Sequence, residues 1–65
     1  MIKYFQIADR TMIFEDNSIE MHVSAWKSGA LLQRFLASPA QYEKALTQAK
    51  TMGKELTLEQ WQAIR

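Results

Sequence analysis

The chain has no cysteine, one proline, two glycines and one histidine in 65 residues. Without cysteine there is no disulfide, no thiolate metal site and no cysteine nucleophile. The same absence suits a reducing compartment. Two glycines, Gly29 and Gly53, are too few for a glycine-rich phosphate cradle. His22 is the sole imidazole, and no serine stands in a G-x-S-x-G context, so no motif marks a nucleophile with its base and orienting group; paired carboxylates of the glycosidase kind stay open by residue type alone. Glu20 lies two residues from His22, and on a strand both would point the same way. Two ligands fall short of the three that a catalytic zinc keeps, so Asp9, Glu15 or Asp16 would have to complete a site. A solvated histidine on an open sheet face is the simpler reading. No apolar run approaches about 18 residues, so nothing reads as a membrane span. The opening MIKYFQIADR lacks the basic and then apolar regions of a signal peptide. These absences lead us to expect a cytoplasmic protein with no metal, no cofactor and no small-molecule substrate. It is not expected to be an enzyme, since so short a chain has little room for a cleft of about 300 Å³.

What is present is apolar mass. Hydrophobic residues make up 48% of the chain, enough for a packed core and too many for a disordered segment. A chain of this length is a single domain, residues 1–65. It buries only about 60% of the surface its unfolded form exposes and is marginal alone. With no disulfide to help, a homodimer or a tight protein partner is attractive.

The first third reads as strands. IKYFQI, over 2–7, is rich in β-branched and aromatic residues. A short Ala-Asp-Arg loop leads to a second strand over 11–15. Asp16, Asn17 and Ser18 then form a tight turn, because their side chains can bond nearby backbone. A third strand over 19–25 alternates cleanly, with Ile19, Met21, Val23 and Ala25 opposite Glu20, His22 and Ser24. The expected sheet is a three-stranded antiparallel meander. Its core side is Ile19, Met21 and Val23, with Phe5, Ile7 and one of Met12 or Ile13.

The remainder reads as helices. Leu31, Leu32, Phe35 and Leu36 have helical spacing over 29–37, with Ser28 as the cap; a cap at Ser24 would put Trp26 on the helix as well. Pro39 disfavours helical geometry at Ser38 and so ends that helix. Ser38, Pro39 and Gln41 then form a capping box with proline at the first helical position, opening a helix over 39–52. Tyr42, Ala45, Leu46, Ala49 and Met52 stripe one face of it. Gly53 stops it as a C′ residue. Thr57 and Gln60 make a second box before a helix over 58–65, where Leu58, Trp61 and Ile64 are the apolar side. The expected architecture is α+β, with two or three helices packed on one face of the sheet and covering it with Leu31, Leu32, Phe35, Leu36, Tyr42, Leu46, Ala49, Trp61 and Ile64.

Two functions fit this frame. The first is a small regulatory binding protein acting by protein contact and self-association. Its contact residues are expected to be Tyr4, Phe14, Trp26, Arg34 and Trp61, because tryptophan and arginine anchor interfaces. For Trp61, docking on its own core is the simpler role and anchoring a partner is the alternative. The second is a nucleic-acid regulator using residues 38–65 as a helix-turn-helix-like unit. Lys44, Lys50, Lys54 and Arg65 would meet phosphates, and Gln60 and Gln62 would meet bases. The charge distribution favours the first. Lys3 and Arg10 face four acids in the first 26 residues, and the cationic excess of the remainder is mild. The spacing also fits poorly. Lys54 follows the turn glycine where an apolar residue is usual. Glu59 and Gln62 fall where the second helix should be apolar. Tyr4, Phe5 and Phe14 could stack single-stranded bases, but they lack interleaved cations, so core packing is the simpler role.

Overall fold

The computed structural model describes residues 1–65. In chain order the elements are β1 (Ile2–Ile7), β2 (Arg10–Asp16), β3 (Met21–Lys27), β4 (Ala30–Ala37), α1 (Pro39–Met52), β5 (Lys54–Leu56) and α2 (Leu58–Ile64). The strands form one five-stranded antiparallel sheet in the order β4-β3-β2-β1-β5. The α+β class stands. The three-stranded meander does not, because the sheet gains β4 on one flank and β5 on the other.

β4 occupies the segment expected to be a helix over 29–37. Ser28 and Gly29 are not a cap but the two central residues of a hairpin. Lys27 pairs with Ala30, and both central residues have positive φ, 52° and 78°. That is what a type I′ hairpin turn requires, and glycine meets it without strain. The helical spacing of Leu31, Leu32, Phe35 and Leu36 is coincidental. The strand carries apolar residues on both faces, and the register shifts at Ala25 and Trp26 leave Leu32 as an extra, bulged residue.

The third strand also starts later than residue 19. The Asp16 carboxylate accepts the Ser18 N–H at 3.0 Å. The Asn17 side-chain oxygen accepts the N–H groups of Ile19 at 3.0 Å and Glu20 at 2.7 Å. These local bonds hold residues 17–20 in a loop and leave Ile19 out of the core, 89% exposed. From Met21 the strand continues through Trp26 to Lys27.

Successive strand residues face opposite sides, so the sheet has two distinct surfaces. On one, Phe5, Phe14, Val23 and Ala37 pack with Tyr42, Leu46 and Ala49 of α1. Phe14 meets Phe5 and Tyr42 edge to face, at 5.8 and 5.7 Å between ring centres. α1 is set by the expected capping box: the Ser38 hydroxyl accepts the Gln41 N–H, and the Gln41 side chain accepts the Ser38 N–H. Gly53 ends α1 in extended backbone, not in the left-handed cap expected of it. It is glycine because a Cβ there would lie 2.6 Å from both the Gln6 carbonyl oxygen and Ile7 Cγ1.

On the other surface, Trp61 of α2 stacks on Tyr4 at 6.3 Å and meets Trp26 edge to face at 5.8 Å. Tyr4 and Phe5 are adjacent in β1 and point to opposite sides. The two helices therefore cover opposite faces, not one, with β5 carrying the chain between them. Thr57 and Gln60 form the second capping box as expected. The end of α2 reaches the β3–β4 turn, where a Cβ on Gly29 would lie 3.3 Å from the Arg65 carbonyl carbon.

The Tyr42 hydroxyl is buried with no hydrogen-bond partner. Burial raises its pKa above the usual tyrosine value, and the charges of Asp16 and Glu43 add to the rise. Tyr42→Phe keeps the ring contact with Phe14 and removes an unsatisfied polar group. It should leave stability unchanged or raise it by about 1 kcal/mol, read from urea unfolding midpoints. A clear loss of stability would show that the hydroxyl is bonded in solution.

Candidate interaction surface

A sheet of this kind has two edges, and they are built differently. The β5 edge is three residues long and carries Lys54 and Glu55, with Leu56 buried. Short, charged edges are the usual protection against strand addition. The β4 edge is eight residues long, ALLQRFLA, with every residue but Ala37 exposed. Its one charge is Arg34, which lies 3.8 Å from Glu15 of its own sheet. Leu31, Leu32, Phe35 and Leu36 are 40–60% exposed. These four were expected to cover the sheet from a helix and instead form an apolar margin at its rim. Two features of the sequence point to this: Ser28-Gly29 as a turn, and the adjacent Leu31-Leu32, which belongs to no single strand face.

The expected protein-contact residues do not form one patch. Phe14 is fully buried under α1, so it is unavailable to a partner. Tyr4, Trp26 and Trp61 do come together, but on each other, where they seat α2 on the sheet. The Trp26 indole N–H donates to the Ser24 hydroxyl at 2.9 Å, which fixes the ring. Trp61 is itself buried, and Tyr4 and Trp26 are partly exposed. Arg34 alone lies on the open edge.

The nucleic-acid candidates are all exposed but separated. Lys44 and Lys50 are on α1, Lys54 is on β5, and Gln60, Gln62 and Arg65 are on α2 or at its end. With the helices on opposite faces and a strand between them, residues 38–65 do not form a helix-turn-helix pair.

His22 and Glu20 approach to 3.9 Å. No group of three or more histidine, aspartate and glutamate side chains converges. The surface has no concave pocket. No helix is long and apolar enough to cross a membrane. Comparison with family models, with curated proteins and with solved structures finds no match.

One exposed ion pair is well formed, Lys27 with Asp9 at 3.0 Å, bracing the β1–β2 turn against the end of β3. The hydrogen bond from Lys27, and then its charge, hold the Asp9 carboxyl below the usual aspartate pKa. A depressed folded pKa adds stability at pH above the unfolded value, and that stability is lost as pH falls through the folded value. An NMR titration should find Asp9 titrating low, and Lys27→Gln should move it back up. No shift on that substitution would mean that the pair does not persist in solution.

Proposed function

We propose that this chain is a small regulatory binding protein of the cytoplasm. It acts on another macromolecule by protein contact, with no reaction of its own, and it does so through the β4 edge. The observation that carries the reading is the contrast between the two edges. β5 is short and charged, whereas β4 is an eight-residue edge strand whose outward backbone groups are open and whose apolar side chains lie on both faces. An extended segment laid along β4 would satisfy its outward N–H and C=O groups and cover Leu31, Leu32, Phe35 and Leu36.

The test is an NMR titration of labelled protein in two arms. One uses a soluble peptide containing an uncharged, alternating Val/Thr strand. The other uses a mixed-sequence DNA duplex at low and high salt. Shifts confined to Ala30–Ala37 with the peptide are expected. Salt-sensitive shifts at Lys44, Lys50, Lys54, Gln60, Gln62 and Arg65 with DNA, and none with peptide, would replace this reading with a nucleic-acid one.

A further inference from the structure

We propose that the segment docking on β4 is β4 of a second copy of the chain, paired antiparallel about a two-fold axis centred on Phe35. This rests on the edge reading above and names its partner. Residues directly opposite in an antiparallel pair share a sheet face, so a symmetric pairing must be centred on a residue and not between two. The regular part of β4, beyond the bulged Leu32, is Gln33–Ala37. Centring on Gln33 sets Phe35 opposite Leu31 and runs the ladder through the bulge. Centring on Arg34 sets two like charges face to face. Centring on Leu36 uses only the last few residues of the strand.

Centring on Phe35 uses the whole regular stretch. Gln33 then lies opposite Ala37, Arg34 opposite Leu36 and Phe35 opposite Phe35. The charges are also accommodated. Each Arg34 keeps Glu15 of its own chain, and its aliphatic stem lies beside the exposed Leu36 of the other copy.

The core supplies a second argument. Phe14 is the cross-strand neighbour of Val23, and Val23 of Phe35. Along this row exposure goes from 0% to 1% to 40%. The row is the centre of the α1 side of the sheet, and it stops at an aromatic ring on the rim. Pairing on Phe35 continues it without a polar break through Phe35, Val23 and Phe14 of the second copy. A foreign strand would have to present an apolar residue at this position with little charge on either side. β4 meets that requirement itself and is already extended, so little conformational freedom is lost on pairing.

The absence of cysteine makes the test direct. Arg34→Cys and Leu36→Cys chains, each full length, are mixed and oxidised mildly in dilute solution, alongside each variant alone and an exposed α1 control, Thr51→Cys. The two substituted positions lie opposite each other, with Cα atoms about 4.5–5.5 Å apart, a separation that a disulfide spans. The mixed 34–36 disulfide is expected to form at least about tenfold faster than either homodisulfide or the control. Sedimentation of the unmodified chain should show mass rising with concentration toward twice 7.6 kDa. Phe35→Glu should weaken that association by about tenfold or more, because it places two carboxylates opposite each other. If Phe35→Glu fails to fold, the disulfide experiment decides alone. Preferred Arg34→Cys homodisulfides, a dimer without the mixed disulfide, or a monomer at millimolar concentration would each overturn the proposal. A monomer that still binds the strand peptide along β4 would overturn the second copy while leaving the edge reading intact.

Discussion

Phe14→Ala is expected to remove a large share, and at the lower end all, of the chain's folding stability in water at 25 °C. Phe14 is wholly buried, lies on the central strand β2 and is the ring on which both Phe5 and Tyr42 rest. Truncating a buried phenylalanine costs about 3–5 kcal/mol, from lost transfer energy and from the cavity left behind. A domain of this size has roughly 3–10 kcal/mol in total, at about 0.05–0.15 kcal/mol per residue. Collapse of the site cannot recover much, because the neighbours are themselves fixed by strand pairing and by α1. Far-UV circular dichroism and a urea titration provide the check. The expected trace has no folded baseline, or one ending at low urea. Phe14→Leu, which keeps most of the volume, should give a folded chain of reduced stability. A Phe14→Ala chain with a near-normal midpoint would mean that the α1 side of the sheet is not the principal core.

Trp61→Ala is expected to act differently although the lost side chain is larger. Trp61 is the one buried residue of α2 and its link to Tyr4 and Trp26. α2 has seven residues, too few to persist as a helix by themselves. The direct cost is again about 3–5 kcal/mol, but much of it can be relieved by releasing α2 alone, since Phe5, Phe14, Val23 and α1 lie on the other side of the sheet. Amide exchange should show residues 58–64 losing protection while β2, β3 and α1 keep theirs. The near-UV dichroism of the remaining tryptophan, Trp26, should fall, while the far-UV signal loses only the share that belongs to α2. Simultaneous loss of protection everywhere would show instead that the two faces unfold as one unit.

The difference between these expectations also explains what the sequence conveyed. The helices after Ser38 and Thr57 were legible because local chemistry determines them. Both capping boxes are closed by side chains three residues apart, and no distant contact is needed. β1, β2 and the alternation of β3 were legible for the same reason. β4 was not, because Leu31, Leu32, Phe35 and Leu36 satisfy a helical period by chance. Only the non-local pairing with β3 makes them a strand. β5 was invisible because three residues have no period, and its identity rests on pairing with Tyr4, Phe5 and Gln6. Misreading β4 hid the candidate site as well. Residues assigned to the core of a helix could not be recognised as the rim of a sheet. The aromatic residues expected at an interface are mostly taken up in fixing the two helices, a role that a one-dimensional pattern does not distinguish from docking.

The unequal edges also limit how far such sheets can grow. A sheet open on both sides can accept a neighbour at each margin, and identical chains joined head to tail in that way have no geometrical reason to stop. Here a strand added along β4 finds no equivalent port on the β5 side, where three residues bearing Lys54 and Glu55 offer little ladder to extend. Growth therefore ends with the first addition. The chain can keep a bare, apolar strand at its surface and remain short of the fibre that such a strand would otherwise seed.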